Sequence, residues 1–393
     1  MKEKDAAISI SYKGMNEMKV ILHQLPSNEQ TEILSFPRDQ GEFPLLHYFK
    51  TDTSFIVWHS LREERGQSSA FLLFTEFSIQ GEQLSNWQID LKKPLDLVKV
   101  IRCSLVGKQV ILLVKEFNRS PVEKRAGRVN YKYSILKSDF GFDQYERFEV
   151  SPQKYYSNTP LVRFDGRYCL AISICGKKSV EKQKLLHSTL IDLEGNSVKN
   201  SIFELSELNI PKNRFTYRRF SKSHIGLQTT GFINHSEQWT VILESRNIQY
   251  LGMDGNRPIL SYQFGPVLVL NWQKNLDSIT TSVLNKNQFS FDDDAVAISG
   301  KFVRDRENLF YFFNDNSSSF LGIPITKRIE HQTHYRIAEF QNDKKPHISE
   351  MEISLPRKRL PLWNLAITED NTLILPVQDK QSISLLIVNW TRL

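Results

Sequence analysis

The sequence predicts an all-β protein built from four-stranded antiparallel meanders, and three observations lead there. Runs rich in Val, Ile, Leu, Phe and Tyr recur at strand length along most of the chain. Turn signals such as Asp165-Gly166 and Glu194-Gly195-Asn196 separate them, because Gly, Asp and Asn tolerate positive φ. The second run of several repeats is apolar on both faces: Phe55-Ile56-Val57-Trp58 and Val110-Ile111-Leu112-Leu113-Val114 carry no polar residue. A half-solvated antiparallel strand alternates apolar and polar, so these strands need cover on both sides. Meanders arranged as radial blades that pack against each other supply it.

One repeat is clearest between Pro160 and Leu205. Its runs A to D are Pro160–Phe164, Tyr168–Ile174, Leu185–Leu193 and Val198–Leu205. In run B, Tyr168, Leu170, Ile172 and Ile174 face one way, Cys169, Ala171, Ser173 and Cys175 the other, and neither face is charged. Taken in order, residues 8–38 hold an N-terminal strand group (ISISY, MKVILHQL, TEILSFP). The first repeat covers Leu45–Phe49, Phe55–Leu61, Ala70–Ile79 and Asn86–Leu91, and the second Leu97–Leu105, Val110–Phe117, Val129–Leu136 and Tyr145–Val150. The fourth is placed at His224–Ile233, Trp239–Glu244, Asn247–Gly252 and Pro258–Phe264, with Val267–Trp272 as an extra strand. The fifth uses Ala295–Val303, Leu309–Phe313, His334–Phe340 and Ile348–Leu355. The last has Leu362–Ile367, Thr372–Val377 and Ser384–Trp390 and lacks a D run, which the N-terminal strands are expected to replace.

This grammar resembles that of β-propellers as a class. The chain has neither the Gly-His and Trp-Asp pairs of WD40 repeats nor the double glycines of kelch repeats. Its nearest match to a sialidase box, Ser138-Asp139-Phe140-Gly141, lacks the spacer and the Trp of that motif. The resemblance to WD40-like and sialidase-like architecture implies one propeller domain over residues 1–393, with six or seven four-stranded blades closed by the N-terminal strands. It implies nothing about function, which sits in sites and not in folds.

The N-terminus MKEKDAAISISYKG has no apolar core of signal-peptide length, and no run is long enough to span a membrane. Cys103, Cys169 and Cys175 are an odd set, and the last two lie too far apart along one strand to pair. They read as buried reduced thiols of a cytoplasmic protein.

Charge offers the sharpest functional inference. In a meander the B–C and D–A connections leave the sheet at one end and the A–B and C–D connections at the other. The first set carries Arg119, Lys124, Arg125, Arg128 and Lys132, then Lys177, Lys178, Lys182 and Lys184, then Lys212, Arg214, Arg218, Arg219 and Lys222, then Arg357, Lys358 and Arg359, with Lys92 and Lys93. The second set carries Glu82, Asp139, Asp143, Asp192, Glu194, Glu237, Glu369 and Asp370. A net charge of +7 would then conceal a basic rim and an acidic one. The expected partner-binding residues are Lys124, Arg125, Arg128, Lys177, Lys178, Lys212, Arg214, Tyr217, Arg218, Arg219, Lys222, Arg357, Lys358 and Arg359. Phe215, Tyr217, Tyr131 and Tyr133 lie among these cations, where bases could stack.

No catalytic or cofactor motif stands out. His331-x-x-His334 and Asp292-Asp293-Asp294 lack the further ligands or spacing of a metal site and read as solvated turns. The expectation is a non-catalytic scaffold subunit whose basic rim engages an acidic protein, with no cofactor and no membrane insertion. Nucleic-acid binding by the same rim is the first alternative. A glycoside-active propeller with paired carboxylates in a central pocket is the second, which leaves catalysis open.

Overall fold

A computed structural model describes residues 6–13, 17–24, 29–37, 46–51, 53–61, 71–93, 97–106, 109–118, 129–141, 143–152, 154–177, 183–207, 227–235, 238–255, 257–276, 278–284, 286, 288–291, 300–305, 308–316, 333–340, 345–350, 366–367, 372–378 and 383–389. Among them the regular structure is entirely β, in seven antiparallel sheets taken in chain order. The chain divides into two compact units: Met1–Tyr155 with Val162–Ala171 and Ile191–Val198, and Tyr156–Leu161 with Ile172–Leu190 and Lys199–Leu393.

In the first unit, β1 (Ala6–Lys13), β2 (Glu17–Gln24) and β3 (Glu29–Pro37) pair with one another. The N-terminal strands thus make a sheet of their own, where the sequence suggested the missing edge of the last one. The second sheet is β4 (Leu46–Lys50), β5 (Ser54–Leu61), β6 (Phe71–Ser78) and β7 (Gln83–Asp90). The third is β8 (Val98–Val106), β9 (Gln109–Phe117), β10 (Tyr131–Asp139) and β11 (Glu146–Glu149). The fourth sheet contributes to both units. It holds β12 (Tyr156–Ser157), β13 (Leu161–Asp165), β14 (Tyr168–Gly176), β15 (Gln183–Asp192) and β16 (Val198–Glu204), with β14 pairing both β12 and β13. Gly166 and Asn196 take positive φ in its two turns, 48° and 52°, as the turn residues require.

The two-faced strands explain how the sheets stack. On β5, Ile56 and Trp58 join a buried cluster with Val110, Leu112 and Val114 of β9. Phe55 and Val57, pointing the other way, pack with Val20 and Leu22 of β2. On β9 the alternation repeats: Ile111 and Leu113 pack with Cys169 and Ala171 of β14. The second and third sheets are therefore covered on both sides by their neighbours in sequence. The three cysteines are unpaired, and burial raises all their thiol pKa values, that of Cys175 to about 12.

The second unit continues the pattern with one correction. The fifth sheet runs β17 (Leu227–Asn234), β18 (Gln238–Asp254), β19 (Arg257–Gln273) and β20 (Ile279–Leu284), with β21 (Gln288–Phe291) against β19. The runs Trp239–Glu244 and Asn247–Gly252 are one strand of 17 residues, and so are Pro258–Phe264 and Val267–Trp272. Glu244-Ser245-Arg246 and Gly265-Pro266 look like breaks. They lie instead at a bulge, where Glu244 pairs with Val267 and Arg246 with Phe264. A bulge leaves a ladder position free, which tolerates Pro inside a strand. The sixth sheet is β22 (Gly300–Asp305), β23 (Asn308–Asn316), β24 (Thr333–Phe340) and β25 (His347–Glu350). Its Tyr311 and Phe313 pack with Ile242, Val267 and Val269 of the fifth. Phe203 of β16 meets Trp272 of β19 at 6.0 Å between ring centroids. The seventh sheet, β26 (Ala366–Ile367), β27 (Thr372–Gln378) and β28 (Ile383–Asn389), is three-stranded, and its Leu385 and Ile387 are both 65% exposed.

Because β9 carries two interfaces at once, truncating one of its inner side chains opens a cavity. Leu112→Ala is expected to lower unfolding free energy by about 2–5 kcal/mol in a guanidinium titration, while truncation of the exposed Leu84 leaves it nearly unchanged.

Candidate functional site

The described strands bound the connections to which the rim residues belong. Segment 119–128 links β9 to β10, 178–182 links β14 to β15, 208–226 links β16 to β17, and 351–365 links β25 to β26. Every one is a link from a second strand to a third or from one sheet to the next. Lys124, Arg125, Arg128, Lys178, Lys212, Arg214, Tyr217, Arg218, Arg219, Lys222, Arg357, Lys358 and Arg359 lie outside the described residues, as do Phe215, His331 and Asp292-Asp293-Asp294. Lys177 is described and exposed, directly after β14.

Lys93, Lys132 and Arg147 are tied into the fold. Glu116, on β9, is fully buried and faces all three: Arg147 Nη1 at 3.0 Å, Lys93 Nζ at 3.7 Å and Lys132 Nζ at 3.8 Å. Lys132 also reaches Glu149 at 3.2 Å. Tyr131 and Tyr133 do not offer open faces to a base. The Lys115 ammonium sits 3.9 Å from the Tyr131 centroid and 5.6 Å from that of Tyr133, and Tyr133 is 3% exposed.

The opposite end is less acidic than its sequence suggests, because intramolecular cations reach it. Asp192 accepts a bidentate pair from Arg167, together with the backbone N–H groups of Glu194 and Gly195. The Arg167 pairing, with the backbone donors behind it, holds its carboxyl well below the usual range. Lys137 donates to the Leu193 carbonyl and reaches Glu146 Oε2 and Asn196 Oδ1, both at 3.0 Å. These residues are 56 and more positions from Lys137 in two of the three cases, beyond any local motif.

The densest buried charge lies in the fifth and sixth sheets and has no sequence motif. Glu244, at the bulge of β18, is 1% exposed. It meets Lys286 Nζ at 2.6 Å, Arg246 Nε at 2.6 Å and the Tyr311 hydroxyl at 3.0 Å. Lys286, also 1% exposed, donates to Gln288 Oε1 at 2.5 Å. Gly300 makes room, since a β-carbon there would collide with the Tyr311 hydroxyl. Burial pushes the Glu244 carboxyl up, but Lys286 and Arg246 outweigh it and hold it below its ordinary value. Burial, then the Glu244 charge, drives the Tyr311 phenol well above its own. The phenol is thus a donor and the carboxylate an acceptor at neutral pH.

A small cleft lies between the fifth and sixth sheets, where β17 ends and β18 begins. His235, Gln238, Thr240, Asn271, Ser282 and Arg304 supply its polar lining, and Thr240 bonds Asn271 at 2.7 Å. Its lining includes no carboxylate, so it offers none of the paired acids of glycoside hydrolysis.

No protein-family model matches the chain, and no curated protein matches it. Among solved structures, a Synechocystis apocarotenoid oxygenase variant aligns over 88% of this chain and 72% of its own, with 11% identity and a TM-score of 0.35. The WD40 domain of SCAP from fission yeast aligns over 94% and 81%, with 12% identity and a TM-score of 0.33. A chain of a mitotic checkpoint complex aligns over 96% and 85%, with 9% identity and a TM-score of 0.32. Scores this low carry no argument, and the all-β architecture rests on the sheets themselves.

Breaking the Glu244 network on one side strands a buried charge. Glu244→Leu or Lys286→Met alone is expected to cost about 3–5 kcal/mol, and the two together markedly less than their sum, as a double-mutant cycle in urea would read. Folding lowers the Glu244 pKa. Its contribution is therefore complete above the ordinary carboxylate value of 4.5 and lost as pH falls through the folded one.

Proposed function

We propose that the chain is a single β-propeller over residues 1–393 that works in the cytoplasm as a non-catalytic, protein-binding scaffold subunit. Its basic rim engages an acidic protein partner. The observation that carries this reading is topological. Three strongly cationic segments, 119–128, 208–226 and 351–365, and the lysines of 178–182 all follow second or fourth strands of their sheets. Rigid face-packed sheets that present like-charged connections favour steering and capture of an anionic surface. The buried carboxylates among the described residues, Glu116, Asp192 and Glu244, each meet a cation within the fold, which suits a structural role for them. Three unpaired cysteines suit a reducing compartment. The seven sheets of the described residues fit seven blades, the upper of the two numbers the sequence allows.

Charge reversal tests the rim. Arg218→Glu with Arg219→Glu is expected to abolish binding of a fluorescent polyglutamate probe while the melting temperature holds. Equal binding by wild type and variant would reduce the basic rim to solvated surface. Tighter binding of a single-stranded DNA oligonucleotide, with affinity falling steeply in salt, would put nucleic acid in the partner's place.

A further inference from the structure

Beyond the bulge at Ser245, β18 and β19 run on as a two-stranded arm with its turn at Gly255, which takes a φ of 58°. On the β19 side, β21 pairs only Ser261–Phe264, so Ile248–Leu260 has no third strand among the described residues. The register places Ile248 opposite Tyr262, Tyr250 opposite Leu260 and Met253 opposite Pro258. Directly opposed residues share a face, so one face of the arm is apolar from root to tip. Near the root Tyr262 and Phe264 are buried, and Arg246 lies 4.7 Å over the Phe264 ring. Toward the tip Ile248, Tyr250 and Met253 are 55%, 62% and 54% exposed. An isolated hairpin with such a face is marginal in water.

Between Arg246 at its root and the opposed Asp254 and Arg257 at its turn, the arm carries no charge: Asn247–Met253 and Pro258–Phe264 hold no Asp, Glu, Lys or Arg, in a chain that is 24% charged with a net charge of +7. Two copies of so basic a protein repel each other wherever like charges meet, and a two-fold contact brings a patch against itself. A surface without charge escapes that penalty and matches its own copy. It offers nothing to a phosphate backbone or an acidic peptide.

We propose that this arm is a self-association surface, on which two copies meet apolar face to apolar face about a two-fold axis. The three tip side chains leave on the order of 400 Å² in water, the size of the largest patch a monomer usually shows. Doubled, this stays below the roughly 1,200 Å² of a standard interface, so the association is weak and reversible, with a Kd on the order of 100 µM.

Sedimentation velocity between about 2 and 300 µM tests it. The weight-average sedimentation coefficient of the wild type is expected to rise with concentration, and more so at high salt, which screens the net charge. Ile248→Ser and Tyr250→Ser are each expected to hold the protein monomeric. Leu84→Ser, at a similarly exposed position on β7, leaves the association intact. A wild type that stays monomeric throughout overturns the proposal. So does association that survives both arm variants, is lost equally in Leu84→Ser, or weakens as salt rises.

Discussion

The structure depends on strands that have no solvent face. β5 and β9 present buried apolar side chains up and down alternately, so neither can end a sheet stack. Burying both sides of a five-residue run such as Val110–Val114 contributes on the order of 1.5–3 kcal/mol for each large side chain. Exposing one side forfeits about half of that. The requirement passes from sheet to sheet, since a sheet recruited as cover brings its own two-faced strand. Local meanders joined by short turns meet it with neighbours in sequence, as the clusters between the first four sheets show.

Charge enters this apolar stack only where a partner waits. Glu116 gathers Arg147, Lys93 and Lys132, and Glu244 gathers Lys286, Arg246 and Tyr311. The second group sits where β18 and β19 bulge, so it stabilises the irregularity that lets both strands continue into the arm. Removing any one member leaves the others desolvated, which makes such groups costly to break though not generous to stability. The ions gathered around Glu116 and Glu244 thus serve the fold.

Much of the architecture was legible because its signals are local. Two-faced runs identified β5, β9 and β14, and Asp165-Gly166 and Glu194-Gly195-Asn196 marked the turns that the structure contains. The fifth sheet was misread for a physical reason. Glu-Ser-Arg and Gly-Pro are breakers unless a bulge and a buried counter-ion rescue them. That counter-ion, Lys286, is 42 residues from Glu244 in sequence, and Tyr311 is 67 residues away. A loop-by-loop tally of charge also leaves Asp192 and Glu194 bare, whereas Arg167, more than twenty residues away, pairs with both. Tyr131 and Tyr133 lie among loop cations in sequence, but Lys115 covers them across the strand pair.

The rule that two-faced strands demand double cover is tested most directly on β5, where Ile56 and Val57 enter buried clusters on opposite faces. The direct measurement is the stability of Ile56→Glu and of Val57→Glu in guanidinium. If both faces are covered, each carboxylate is desolvated and each midpoint falls by the equivalent of about 2 kcal/mol or more. An unchanged midpoint for either variant would mean that its face of β5 is solvated, and that a strand apolar on both faces persists with cover on one side only.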